Sequence, residues 1–114
     1  MKIYLLAIFV DTIPNSNRAL RDKTRLYTSF DVAKIKAEEH CAFWHETLKD
    51  NESLEFLWAV INEYDTEDEK SDNELKAPQV VWAYLKDKDG KYKSHEGEQL
   101  KDDSVWEQSR KYLR

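Results

Sequence analysis

Cysteine, glycine and proline are all scarce in this chain of 114 residues, which holds one Cys, two Gly and two Pro. A single cysteine, Cys41, rules out a disulfide within the chain. Small secreted domains often need that staple, so a reducing, cytoplasmic setting is expected. Two glycines leave little material for a phosphate-cradling loop, and the sequence contains neither a P-loop nor a Gly-rich dinucleotide fingerprint. A His-Glu metal motif is absent as well. The apolar run Ile3 to Val10 is eight residues long, too short to span a bilayer. It follows Lys2 as the apolar core of a secretory signal would, yet Asp11, Pro14 and Asn15 come next instead of a small-residue cleavage site. A buried strand is therefore expected there.

What is abundant is aromatic and charged. Four Trp, six Tyr and four Phe fall mostly inside apolar runs. Each ring can bury about 150 to 250 Å², enough for residues 1–114 to form a single domain around its own core. Against 18 Lys and Arg stand 23 Asp and Glu, a net charge of −5. The distribution is uneven: residues 1–36 carry seven basic and three acidic side chains, net +4, which leaves −9 for residues 37–114. Such a surplus repels nucleic acid, which is not expected as a partner, and favours a partner with a basic site.

Periodicity predicts the elements. Ile3 to Val10 is apolar on both alternate faces, as a central strand covered on two sides would be. Residues 11–23 have loop composition, and Arg25 to Thr28 resumes a short strand. Ser29 is placed to cap a helix of about residues 30–49, with Asp31 at the positive dipole end. At the helical period Val32, Ala33, Ala37, Cys41, Phe43, Trp44 and Leu48 sweep one apolar face. Lys34, Glu38, Glu39, His45 and Glu46 take the other, with Ile35 and Ala42 as apolar exceptions there. Leu54 to Tyr64 and Val80 to Leu85 read as strands with both faces partly buried. Asp89-Gly90 signals a hairpin, residues 91–95 an edge strand, and residues 103–113 a short C-terminal helix.

The expected class is α+β: a mostly antiparallel sheet of four to five strands with its main helix on one face. The second face needs a cover, either the C-terminal helix or a second copy in a homodimer. Lys2-Ile3-Tyr4-Leu5-Leu6, Leu26-Tyr27-Thr28-Ser29, then Ala33, Ala37 and Glu63-Tyr64-Asp65 give the chain, as far as Asp65, an outline that resembles a group of small uncharacterised bacterial and phage proteins. Those open with strand, loop, helix and strand. The resemblance implies a fold and carries no activity.

Several constellations invite chemistry. Glu38, Cys41 and His45 lie close in helical arc, as an activated thiol or a metal site would require, but burial of Cys41 is the simpler reading and a zinc site wants more ligands. His40 sits on the apolar face, where a pocket with Tyr4 and Glu55 or Glu63 would suit a small-ligand regulator or a small enzyme. Arg18, Arg21, Lys23 and Arg25 form a weak basic arm. Residues 65–74 are strongly acidic but lack the central Gly and ligand order of a calcium loop. Trp58 and Trp82 read as core.

The expectation is therefore a small acidic, non-catalytic protein-binding module, such as a regulator, an immunity factor or a phage-encoded inhibitor. Its binding residues would be Glu67, Asp68, Glu69, Asp72 and Glu74, with Trp106 as aromatic anchor. No catalytic residue, metal or cofactor is assigned. The alternatives are the ligand pocket near His40 and a structural homodimer.

Overall fold

The N-terminal run forms an interior strand of the sheet, second from one edge; the middle position expected for it belongs to the strand at residues 55–65. In a computed structural model describing residues 2–11, 20–21, 24–48, 55–65 and 78–107, the order is β1 (Lys2–Asp11), β2 (Leu20–Arg21), β3 (Arg25–Tyr27), α1 (Phe30–Leu48), β4 (Glu55–Asp65), β5 (Gln79–Lys86) and β6 (Tyr92–Glu96). Two 3-10 turns follow, Gly97–Lys101 and Asp103–Trp106. The sheet runs β2-β1-β4-β5-β6, and β3 shares with β2 the outer edge of β1. All the pairings are antiparallel. The result is the expected α+β class, five strand positions wide. Leu20 and Arg21 pair with Val10 and Phe9 inside a stretch expected to be loop.

Register decides which side chains meet. Leu6, Ile61 and Trp82 stand opposite one another across β1, β4 and β5, and the next row is Ala7, Val60 and Ala83. Because side chains alternate along a strand, the first row faces α1 and the second faces away. The α1 side gathers Leu6, Ile8, Val10, Ala59, Ile61 and Trp82 against Ala33, Ala37 and Cys41. The other side gathers Ala7, Trp58, Val60, Ala83 and Leu85, with Leu100, Val105 and Trp106 packed on them. Both expected core tryptophans, Trp58 and Trp82, are buried.

That second cluster shows what covers the far face: the chain's own C-terminal segment. It does so as 3-10 turns. Over the described part of the expected helix, residues 103–106 are 3-10 and residues 108–114 lie outside the described residues. Asp102 opens the second turn: its Oδ1 accepts the backbone N–H of Ser104 at 3.0 Å and the Ser104 hydroxyl at 2.8 Å, capping the turn at its N-terminus.

The β5–β6 turn follows its sequence signal. Gly90 adopts φ 82°, which a side chain would resist. The Asp87 carboxylate accepts the N–H groups of Asp89 and Lys91, both at 2.9 Å. These bonds, the Lys91 one foremost, hold its carboxyl below the usual carboxylate range.

Candidate interaction face

Helix α1 starts where its cap residue stands. The Ser29 hydroxyl accepts the N–H of Val32 at 3.4 Å and its carbonyl accepts that of Ala33 at 3.0 Å. From there the helix lies on the sheet through its smallest residues: Ala33 and Ala37 are fully buried and Cys41 is 3% exposed. The broad apolar face expected from the sequence is thus split. Val32 and Phe43, expected in the core, are 46% and 60% exposed, and Ile35 is 55% exposed. His45, expected on the polar side, is half-buried against the sheet.

Packing accounts for this rotation. The sheet surface under α1 already carries large side chains, Leu6, Ile8, Ile61 and Trp82. Only a helix face without bulk can approach it at interior density. Putting Phe43 and Val32 underneath would hold the backbone away and leave voids beneath Ala33 and Ala37.

The consequence is an apolar stripe pointing outward. Val32, Ile35, Ala42 and Phe43 are all exposed, and spacings of three, seven and one residues put them on one side of a helix with 3.6 residues per turn. Asp31, Glu38, Glu39 and Glu46 are exposed on the same helix. Its two lysines are engaged: Lys34 pairs with Glu96 on β6, and Lys36 pairs with Glu39 at 3.4 Å. Glu39 and Glu46 fall between the two apolar columns, Val32 with Phe43 and Ile35 with Ala42, while Asp31 and Glu38 line the Ile35 side. The signal of this face in the sequence was the pair Ile35 and Ala42 interrupting the supposed polar side. Two apolar stripes were present, and only one could be buried.

The inner end of α1 holds an aromatic group. His45 Nε2 lies 3.0 Å from the Tyr84 hydroxyl, and its ring meets Tyr92 edge-on with centroids 4.8 Å apart. Tyr84 and Tyr92 stack at 5.3 Å. Burial lowers the His45 pKa and raises that of Tyr84, favouring the neutral imidazole and the protonated phenol. Burial, helped by the charge of Glu38, pushes the Cys41 thiol up to about 12. It is thus protonated at neutral pH and a poor nucleophile. Among the described residues the buried Trp82 indole N–H meets no hydrogen-bond acceptor.

Among the other sequence candidates, Tyr4 and Glu63 do meet. They oppose each other across β1 and β4, and burial together with the Glu63 charge raises the Tyr4 pKa. His40 is half-buried. It lines neither a cavity of about 290 Å³ bordered by Lys86, Asp87, Lys93, His95 and Ser104, nor one of about 410 Å³ bordered by Ser94, Glu96, Glu98 and Gln99. The side chain of Glu55 is outside the described residues, as are Glu67, Asp68, Glu69, Asp72, Glu74, Arg18 and Lys23. Trp106 is half-buried on the far-face cluster, and its indole N–H donates to the Leu100 carbonyl at 3.0 Å.

Among the described residues no group of three or more His, Cys, Asp or Glu is placed to hold a metal ion, and no helix is long and apolar enough to cross a membrane. No family model matches the chain, and no curated protein or solved structure is significantly similar to it.

Proposed function

We propose that this protein is a small, non-catalytic binding module, a regulator, immunity factor or phage-encoded inhibitor, that occupies a basic site on a protein partner. The observation that carries the reading is the outward stripe of α1. Val32, Ile35 and Phe43 are large apolar side chains that the protein leaves between 46% and 60% exposed, on an element whose other face already completes the core. Exposed aromatics of this kind serve as interface anchors. Phe43 is the anchor best placed for the task, with Trp106 as a second aromatic at the opposite face.

The carboxylates within and beside the stripe, and the acidic run containing Glu67, Asp68, Glu69, Asp72 and Glu74, would steer a basic partner toward it. The test is affinity capture of the tagged protein from a native lysate at low and moderate salt, beside the Phe43→Asp variant. A stoichiometric protein partner whose retention falls with salt and with Phe43→Asp supports the reading. Recovery of no protein partner from lysates of the source cell refutes it.

A further inference from the structure

From the seam on α1 we infer the kind of element the partner presents: a basic amphipathic helix that packs lengthwise on α1. This rests on the binding-module reading and makes it specific. Val32, Ile35, Glu39, Ala42 and Glu46 follow the alternating three- and four-residue spacing of a heptad seam. Phe43 widens it beside Ala42, and Lys36 lies beside Ile35. With a rise of about 1.5 Å per residue the seam extends about 20 Å, which suits a helix of four turns better than a short turn or a single side chain. All of its members are exposed.

Charge chooses among occupants. A second copy of α1 would bring the Glu39 side chains toward each other in an antiparallel pair. A parallel pair would align Glu39 with Glu39 and Glu46 with Glu46. Like charges facing across such a seam oppose association. Lys36 offsets part of the Glu39 charge, and Lys34 is taken up by Glu96. A helix of another protein is free of that conflict when its facing side sets Lys or Arg opposite Glu39 and Glu46 and apolar residues opposite Val32, Ile35, Ala42 and Phe43. It would set cations beside Asp31, Glu38, Glu39 and Glu46 while covering Val32, Ile35 and Phe43. Apolar contact would supply the affinity, and the paired charges the orientation and the choice of partner.

The experiment uses the full chain and three labelled synthetic peptides of about 18 residues, long enough to form the helix. One carries Leu opposite Val32, Ile35 and Phe43 and Lys or Arg opposite Glu39 and Glu46. The second has Glu in place of those cations, and the third is the basic peptide with two central prolines. Fluorescence anisotropy measures binding at low and moderate salt. Saturable binding of the basic helical peptide is expected, weakened about tenfold or more by Phe43→Asp and also by the double charge reversal Glu39→Lys with Glu46→Lys. The double charge reversal, unlike Phe43→Asp, should give the acidic peptide measurable affinity.

Binding of the proline-containing peptide as tightly as the helical one overturns the inference, as does absence of binding by the basic helix or indifference to Phe43→Asp. A lysate partner whose capture survives both Phe43→Asp and Ile35→Asp would leave the binding-module reading standing and remove this one.

Discussion

Replacing Phe43 by Ala separates two orientations of α1 that its amphipathic pattern permits. Were Phe43 in the core, truncation would cost about 3–5 kcal/mol through lost burial and the cavity left behind. In the structure 60% of this residue is exposed. Complete burial of a Phe side chain is worth about 1.5–3 kcal/mol, so the covered fraction contributes about 1 kcal/mol at most. The better helix propensity of Ala returns about 0.5 kcal/mol. The expected net loss is therefore about 0.5 kcal/mol or less.

Ala37 is the counterpart. It has no exposed surface and lies between α1 and the large side chains of the sheet. Ala37→Leu, an unremarkable change on an exposed helix face, should here cost about 1–3 kcal/mol by overpacking. Urea unfolding followed by circular dichroism reports both values, provided the denaturant slope stays constant across the variants. A loss above about 2 kcal/mol for Phe43→Ala, or neutrality of Ala37→Leu, would refute the placement of the helix and with it the interaction face.

Three further outcomes follow from the buried groups. Burial lowers the His45 pKa below its usual 6.5, so the unfolded chain takes up this proton first as pH falls. The His45 contribution to stability is complete above 6.5, declines below that value and levels off beneath the folded pKa. Urea midpoints of the parent should therefore drop more between about pH 7.5 and pH 5.5 than those of His45→Gln; parallel profiles would count against the buried imidazole. Cys41, 3% exposed and with its thiol pushed up to about 12, should resist alkylation in the folded protein and react once urea unfolds it. Mass spectrometry decides, and rapid native labelling would contradict the burial. Trp106→Phe removes the bond from the indole to the Leu100 carbonyl and should cost about 1 kcal/mol, read from the same urea curves. No loss would mean that this turn does not hold the far-face cover in place.

Much of the architecture was legible because it is written in short-range patterns. Ser29 before an apolar helical period located the start of α1, Asp89-Gly90 located the β5–β6 turn, and the doubly apolar runs located β1, β4 and β5. Trp58 and Trp82 could be assigned to the core because each lies in a strand with apolar neighbours on both parities. The far-face cover was foreseen only as an alternative to a second copy. Its 3-10 form was not foreseen, because over so short a stretch apolar spacing does not separate three residues per turn from 3.6.

The sequence by itself determined the order of elements, the antiparallel α+β class and the acidic balance, since each depends on residues near one another in the chain or on a simple sum. Tertiary structure alone decided which of two apolar stripes on α1 enters the core. Both satisfy the helical period, so periodicity cannot rank them. The choice depends on what lies beneath, where a sheet surface filled by Leu6, Ile61 and Trp82 accepts the small residues Ala33, Ala37 and Cys41. Val32, Ile35 and Phe43 are thereby turned outward, because close packing on the sheet side of the helix leaves no room for them.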